Sequence, residues 1–259
     1  MTTGRAFGDR HAIITGGGSG IGAAVAAALA PLGVRLTLIG RREQKLAETA
    51  ADIEARFGVA CAYRVADVTD DTATRAAFAA AGPADILVNN AGAAESAPFL
   101  KTDIALLDRM MAVNCHAAFR CTQAALPAML AAGHGRIVNI ASTAGVTGYA
   151  YVTAYGAAKH ALIGLTRSLA RELAKTGVTV NAVCPGYTDT DLVTAALDNI
   201  VAKTGRARDA ARDALTAGNP QGRLVKPEEV AATVRFLCLP DAAAVTGQAI
   251  VVAGGEVMP

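Results

Sequence analysis

Residues 11–22 read HAIITGGGSGIG, a short apolar run, a glycine-rich turn and the start of an alanine-rich stretch. Gly16, Gly20 and Gly22 fall in the spacing TGxxxGxG. Because glycine has no Cβ, the turn can be tight, its backbone can approach a pyrophosphate, and the helix that follows can direct its N-terminal amides at that anion. The stretch therefore predicts a strand, a dinucleotide-binding turn and a helix, and the alternative is a purely structural turn. The residues expected around the pyrophosphate are Gly16, Gly18, Ser19, Gly20, Ile21 and Gly22.

The rest of the chain alternates short runs of Val, Ile and Leu with alanine-rich stretches, which is the pattern of repeated βα units around a parallel sheet. The predicted strands are His11–Thr15, Arg35–Ile39, Cys61–Val65, Ile86–Val88, Arg136–Ile140, Thr179–Val183 and Gln248–Val252. The predicted helices are Gly20–Pro31, Arg42–Phe57, Asp71–Ala81, Thr102–Leu130, Val152–Thr176 and Lys226–Leu239. We predict an α/β chain with a Rossmann-like, doubly wound, three-layer fold around a seven-stranded parallel sheet.

No repeat or low-complexity linker divides the sequence, so residues 1–259 are expected to form a single domain. One segment differs from the rest. Residues 188–222 are more polar and carry Gly205, Gly218 and Pro220. We interpret this segment as an insertion beside a site, serving as a substrate lid.

The composition excludes several classes of protein. The chain is 53% hydrophobic and 18% charged, with a net charge of +2 and no block of Lys or Arg, so neither a nucleic acid nor a membrane is an expected partner. Residues 12–34 and 137–158 carry no charge and are long enough to cross a bilayer, but glycines and hydroxyl side chains interrupt both. Residues 1–10 contain no apolar signal segment, and the five cysteines form no CxxC pair. These features favour reduced thiols and a cytoplasmic protein.

The end of the second predicted strand bears on the choice of dinucleotide. Ile39 is followed by Gly40, Arg41 and Arg42, where an NAD-selective fold would place a carboxylate for the ribose 2′-hydroxyl. Two arginines favour the 2′-phosphate of NADP(H) through charge-assisted contacts. Glu43, one residue further on, keeps NAD(H) possible, and the arginines could also be solvated residues at a helix start.

Tyr155 and Lys159 stand four residues apart in YGAAK. On a helix they share one face, so a lysine ammonium can stabilise a tyrosinate and lower the phenol pKa. A tyrosine tuned in this way can pass a proton to a carbonyl oxygen or accept one from an alcohol. Ser142 follows a predicted strand and could hydrogen-bond the same substrate oxygen. Such a pair also occurs by chance on many helices.

In order along the chain, TGGGSGIG, Asp67, NNAG, Asn114, Ser142, YGAAK and CPGYTDT resemble the short-chain dehydrogenase/reductase family of the single-domain type, over nearly the whole length. The resemblance implies a catalytic tetrad of Asn114, Ser142, Tyr155 and Lys159, with Lys159 also binding the nicotinamide ribose. It implies further cofactor contacts at Asp67, Val68, Asn89, Ala91, Gly92, Tyr155, Pro185, Gly186 and Thr188. One departure is Ala253, where the family pattern leads us to expect an acidic residue before a double glycine.

The expected activity is NAD(P)-dependent interconversion of a ketone and a secondary alcohol by hydride transfer. We favour an NADPH-dependent reductase of hydrophobic ketones or 3-oxoacyl thioesters. The alternatives are an NAD-dependent dehydrogenase of a cyclic, aromatic or hydroxyacyl secondary alcohol, and a non-catalytic dinucleotide-binding redox sensor. The four histidines show no metal-ligand spacing and there is no GxSxG elbow, so neither a metal site nor a serine hydrolase is expected.

Family resemblance also implies a homotetramer assembled through residues 248–252 and the two long helices, with a monomer as the alternative. The expected substrate wall is mostly apolar or aromatic and comprises Val146, Tyr149, Tyr151, Val152, Tyr187, Leu192, Val193 and Leu197. Some of these residues could instead pack the lid. Arg206, Arg208 and Arg212 could meet a phosphate of a carrier protein or of CoA, or form a solvated helix face.

Overall fold

A computed structural model describes residues 10–205 and 207–258 of the chain. Its seven strands form one parallel sheet in the order β3-β2-β1-β4-β5-β6-β7. The strands are β1 (His11–Thr15), β2 (Arg35–Gly40), β3 (Cys61–Val65), β4 (Ile86–Asn89), β5 (Gly135–Ile140), β6 (Val178–Pro185) and β7 (Ala249–Val252). The predicted Rossmann-like sheet is confirmed, with each predicted strand in place.

Helices lie on both sides of this sheet. They are α1 (Gly20–Leu29), α2 (Glu43–Phe57), α3 (Asp71–Ala81), α4 (Ile104–Met111), α5 (Ala117–Ala132), α6 (Thr153–Glu172), α7 (Asp191–Thr204), α8 (Arg208–Thr216) and α9 (Pro227–Cys238). Short 3₁₀ turns occur at Ala30–Leu32, Phe99–Lys101, Thr143–Gly145 and Pro240–Ala242.

Two helix predictions need correction. Residues 102–130 were expected to form one helix, but α4 and α5 are separated by a π-helical turn at Ala112–His116. Its widened backbone lets the Asn114 amide bond the carbonyl oxygens of Ala93 and Met110. The polar segment 188–222 contains helices α7 and α8, which its weak apolar pattern did not reveal.

The hydrophobic core occupies both faces of the sheet. Ile13 and Ile14 are adjacent in β1 and fully buried, yet they belong to separate core clusters, because successive strand side chains point to opposite faces. Ile14 packs with Val25 of α1 and Val234 of α9, whereas Ile13 shares its cluster with side chains of α3, α5 and α6. Burial on both faces explains why the central strands read as nearly continuous apolar runs.

The strand order reverses between β1 and β4. In doubly wound sheets this reversal opens a crevice beyond the carboxyl ends of the strands, because the connections on the two sides run to opposite faces. The glycine-rich turn after β1, the loop after β4, Ser142 after β5 and the turn after β6 all lie along that edge. The fold thus collects at one place the residues that the sequence singled out separately.

A chain of buried amides ties the central strands to two helices. Asn89 Nδ2 donates to Asn139 Oδ1 at 2.9 Å, and Asn139 Nδ2 donates to Thr166 Oγ1 at 2.9 Å. Asn89 Nδ2 also donates to Thr122 Oγ1 at 3.2 Å. The chain joins β4, β5, α5 and α6 inside the core. The side chain of Asn89 is therefore engaged in packing, so any contact of Asn89 with the cofactor falls to its backbone.

Replacing Asn139 with Ala should lower the free energy of unfolding by about 2 to 4 kcal/mol, because it removes two buried side-chain hydrogen bonds, one from Asn89 and one to Thr166, and leaves a cavity in the core. Urea denaturation measures this. The matched control is Thr179→Val, since Thr179 Oγ1 is buried with no hydrogen-bond partner among the described residues. That change should leave stability within about 1 kcal/mol of the original or raise it. Equal destabilisation by both variants would contradict the assigned network.

Candidate active site

The glycine-rich turn requires glycine at specific positions. Gly16 and Gly20 have φ values of 65° and 53°, which only glycine adopts without strain. A Cβ at Gly22 would overlap the carbonyl oxygen of Gly16. These residues bring the backbone to the open crevice, as the sequence predicts. Gly18 instead allows close contact with the start of α2, and Ile21 packs against the core.

A clamp of hydrogen bonds holds the turn against the loop after β4. Asn90 Nδ2 donates to the carbonyl oxygens of Thr15 at 3.0 Å and Gly16 at 3.1 Å. Thr15 Oγ1 accepts from the backbone amides of Asn90 and Ala91, both at 3.0 Å. We did not select Thr15 or Asn90 from the sequence. The sequence signal that could have identified Asn90 is the Asn89-Asn90 pair. Adjacent side chains at a strand end point in opposite directions, so when Asn89 faces the core, Asn90 faces the turn.

The predicted tetrad comes together at the edge of the sheet. The Ser142 hydroxyl lies near the Tyr155 phenol, and Lys159 Nζ lies 5.6 Å from the centroid of the Tyr155 ring. A Cβ placed on Gly92 would stand 2.8 Å from Asn114 Oδ1 and 3.7 Å from Lys159 Nζ. The absence of a side chain at Gly92 therefore lets the loop after β4 lie directly over Asn114 and Lys159.

Asn114 and Lys159 are both fixed by backbone groups. Asn114 Nδ2 donates to Ala93 O at 2.9 Å and Met110 O at 3.0 Å, while its Oδ1 accepts from Ala93 N at 3.3 Å. Lys159 Nζ donates to Ile140 O at 2.8 Å. Both side chains are almost completely buried, so their positions are determined by packing as well as by hydrogen bonds.

Burial controls the ionisation of the pair on α6. It raises the pKa of Tyr155 to about 12, although the nearby Ser142 hydroxyl acts in the opposite direction. It lowers the pKa of Lys159 to about 8. We expected Lys159 to lower the phenol pKa, and in this structure burial instead raises it, because loss of hydration disfavours the phenolate.

Arg41 and Arg42 follow β2 and lie beside the glycine-rich turn. Arg42 Nη2 donates to Ser19 Oγ at 2.7 Å, and its Nη1 lies 3.5 Å from Asp191 Oδ2 at the start of α7. Arg41 Nη1 lies 3.8 Å from Asp67 Oδ2, and both guanidinium groups remain largely exposed. Two cations next to the glycine-rich turn provide the charge that a 2′-phosphate requires.

Asp67 and Val68 follow β3 at the same end. Asp67 Oδ1 accepts from Thr69 N at 2.9 Å and Thr69 Oγ1 at 2.7 Å. Partial burial acts to raise the pKa of Asp67, but these hydrogen bonds and the charge of Arg41 outweigh it, and the pKa is lowered. Val68 is buried beneath the loop.

The turn after β6 continues the site at its opposite end. Pro185 closes the strand, and Thr188 Oγ1 donates to Gly186 O at 3.0 Å. Thr188 also forms a bridge with Val225, and the methyl group of Thr190 would lie 3.0 Å from a Cβ on Gly20. The start of segment 188–222 thus lies against the glycine-rich turn.

The expected substrate wall divides into two groups. The rings of Tyr149 and Tyr187 meet edge to face with centroids 6.5 Å apart. Val193 and Leu197 are buried in a small cluster with Ala211 and Leu224, so they pack the segment 188–222 itself. In the basic cluster, Arg208 pairs with Asp198, and Arg206 lies outside the described residues.

Within residues 10–205 and 207–258, no group of three or more His, Cys, Asp or Glu side chains is arranged to hold a metal ion. In the same part of the chain no helix is long and apolar enough to cross a membrane. The five cysteines are free thiols.

Comparison with known proteins places this site in a family. A family model described as short chain dehydrogenase matches residues 10–200. The granaticin polyketide synthase putative ketoacyl reductase 1 of Streptomyces violaceoruber is 41% identical over 250 residues, covering 94% of this chain and 92% of the relative. The cis-4-hydroxycyclohexanecarboxylate dehydrogenase of Sinomonas cyclohexanicum is 40% identical over 260 residues, covering 97% of this chain and 98% of the relative.

A solved structure agrees. The crystal structure of an actinorhodin polyketide ketoreductase variant with NADPH superposes with a TM-score of 0.91 at 39% identity, covering 96% of this chain and 97% of the other. The sequence match, the relatives and the superposition all extend over most of the chain. The chain therefore belongs to the short-chain dehydrogenase/reductase family.

Proposed function

We propose that this protein is an NADPH-dependent reductase of hydrophobic ketones or 3-oxoacyl thioesters. As a member of its family the chain is an oxidoreductase that interconverts a ketone and a secondary alcohol. The observation that carries the proposal is the meeting of Ser142, Tyr155 and Lys159 at the crevice beside the glycine-rich turn. Several relatives are named as ketoacyl reductases, which supports the direction of reduction.

The residues present fit a nicotinamide dinucleotide. The glycine-rich turn leaves room where any Cβ would collide with backbone, and its amides open the helix α1. Arg41, Arg42 and Ser19 would hold the 2′-phosphate, and Lys159 would hold the nicotinamide ribose. The cofactor supplies the hydride for reduction. Further contacts are proposed at Gly16, Gly18, Gly20, Ile21, Gly22, Asp67, Val68, Ala91, Gly92, Tyr155, Pro185, Gly186 and Thr188.

Tyr155 is the proposed proton donor to the carbonyl oxygen of the substrate. With its pKa at about 12, the phenol is protonated at neutral pH and can act as an acid. Ser142 would donate a second hydrogen bond to the same oxygen, which gains negative charge during reduction. The resulting tyrosinate would be stabilised by Lys159, which is largely protonated at pH 7 because its pKa is about 8. Asn114 would position the loop after β4 and the lysine.

A second candidate is NAD-dependent oxidation of a cyclic secondary alcohol. The relative named cis-4-hydroxycyclohexanecarboxylate dehydrogenase supports it, at 40% identity. In that direction Tyr155 must first lose its proton, so the raised pKa of the phenol favours reduction at neutral pH. Comparison of the two coenzymes and both directions separates these candidates.

We also propose that residues 1–259 act as a single domain, that segment 188–222 closes over the substrate, and that the protein is a cytoplasmic homotetramer. Strand β7 lies at the edge of the sheet, where its outer side is available for contact with another subunit. Phe99, Leu100 and Ile104 are exposed apolar side chains before and in α4, which supports burial against another subunit.

Replacing Tyr155 with Phe should reduce kcat for ketone reduction by about 10² to 10⁴, because the proton donor is removed while the ring remains. Fluorescence titration should show nearly unchanged NADPH affinity. The control is Tyr63→Phe, which removes a phenol hydroxyl from β3, away from Ser142 and Lys159. Appreciable turnover by Tyr155→Phe would refute the assigned proton donor.

Wild-type protein should bind NADPH more tightly than NADH, and Arg42→Ala should weaken NADPH binding by about tenfold or more through loss of a charge-assisted contact. NADH affinity should change by less than about threefold, because NADH lacks the 2′-phosphate. Arg56→Ala is the matched control, since Arg56 lies in the last turn of α2 and pairs with Asp52. Tighter binding of NADH by the wild type would overturn the arginine assignment.

Lys159→Met should make the protein more stable by about 2 to 3 kcal/mol at pH 6.5, because burying a charged ammonium is costly. The pKa of Lys159 is about 8 against an ordinary 10.5, so the unfolded chain binds more protons between these values. The free energy of unfolding of the wild type therefore rises with pH in that window, and the advantage of the variant should shrink by pH 9.5. Urea denaturation at both pH values checks this. An advantage of constant size would show that Lys159 does not titrate as stated.

A further inference from the structure

The chain turns back on itself after β7 and returns to the active-site edge. Gly254 and Gly255 have φ values of 61° and 91°, which suit glycine alone, and Glu256 N donates to Ala253 O at 3.1 Å. A Cβ on Gly254 would overlap the side-chain amide of Asn219, at the end of segment 188–222. This tight turn directs Glu256 towards Tyr149, in the loop after β5 at the active-site edge of the sheet.

The Glu256 carboxylate lies where three parts of the site meet. Its Oε1 accepts a hydrogen bond from Tyr149 OH at 2.8 Å. Its Oε2 would stand 2.7 Å from a Cβ on Gly186, in the turn after β6, and Oε1 would stand 3.4 Å from a Cβ on Gly218. The carboxylate therefore contacts the loop after β5, the turn after β6 and the end of segment 188–222.

Two tyrosines connect this carboxylate to the reacting end of the site. Tyr149 lies in the loop after β5, which also carries Ser142, and its ring meets Tyr187 with centroids 6.5 Å apart. Tyr187 in turn interacts electrostatically with Tyr155. Burial raises the pKa of Tyr149 to about 12, and Glu256 adds to that effect. The Tyr149 hydroxyl therefore stays protonated and donates a hydrogen bond to the carboxylate.

A carboxylate fixed beside Tyr149, in the expected substrate wall, determines whether the site accepts an anionic substrate. It repels an anion held a few ångströms away, and the half-buried Tyr149 and Tyr187 beside it reduce the screening of that repulsion by water. Lys159 is the buried cation at the reacting end, but its ammonium donates to Ile140 O and lies beside the Tyr155 ring. It is committed to the catalytic group and is not free to pair with a substrate carboxylate.

We propose that Glu256 is a specificity-determining residue that excludes substrates with a free carboxylate near the reacting carbonyl and selects neutral ketones, esters and thioesters. The inference rests on the proposed reductase function and narrows its substrate class. It separates this chain from the relative whose name specifies a cyclohexanecarboxylate, despite 40% identity. The inference agrees with 3-oxoacyl thioesters as substrates, because the carboxyl group of a thioester carries no charge.

The test compares matched substrates that differ in one charge: 3-oxobutanoate with its ethyl ester, and 4-oxocyclohexanecarboxylate with its methyl ester. Wild type should prefer each ester. Glu256→Gln should raise the ratio of kcat/KM for the acid to kcat/KM for the ester on the order of tenfold at low ionic strength, because it removes the repulsion and keeps the side-chain size. Tyr149→Phe keeps the carboxylate, so its ratio should stay as low as that of the wild type.

Glu228→Gln is the control, because Glu228 is exposed in the first turn of α9 and its replacement changes net charge equally. A ratio in Glu256→Gln no higher than in Glu228→Gln would overturn the proposal, as would a wild type that prefers the acids. If the wild type reduces none of the four ketones, the proposed function fails separately. Calorimetric binding of each pair to the NADPH-loaded protein then decides about Glu256: stronger binding of the acids in Glu256→Gln supports the proposal, and unchanged binding rejects it.

Discussion

The clamp between Thr15 and Asn90 is the interaction on which the rest of the site depends. It spans the point where the strand order reverses, so the connections leave β1 and β4 towards opposite faces of the sheet. The glycine-rich turn is otherwise bonded to β2 through Ile39 O, and the loop after β4 to Asn114, so the clamp is what joins these two segments to each other. The clamp fixes both as one edge, and Gly92 then lies over Asn114 and Lys159.

The second organising constraint is burial at the reacting end. Removing Tyr155 and Lys159 from water raises the pKa of the phenol and lowers that of the ammonium. The neutral form of each side chain is therefore more favoured than it would be in water. In the proposed reduction, the phenol of Tyr155 would keep its proton until the substrate oxygen gains charge. The Glu256 carboxylate is half-buried beside Tyr149, where repulsion between charges is screened less than in bulk water.

The sequence predicted much of this architecture because the relevant signals are local. Each strand is an apolar run, and each turn at the site carries residues with a restricted backbone role. Helix α6 places Tyr155 and Lys159 on one face through spacing alone. The break at Asn114 was missed, because it depends on carbonyl groups of Ala93 and Met110 that no local pattern identifies.

By itself, the sequence determined the parallel sheet, the glycine-rich turn and the pairing of Tyr155 with Lys159 on one helix face. Only the tertiary structure decided that Asn89 packs the core while Asn90 holds the turn, since adjacent side chains leave a strand end on opposite sides. It also decided the direction of the Tyr155 pKa shift and the place of Glu256. Burial and contacts between distant segments control those properties, and neither is encoded in the spacing of neighbouring residues.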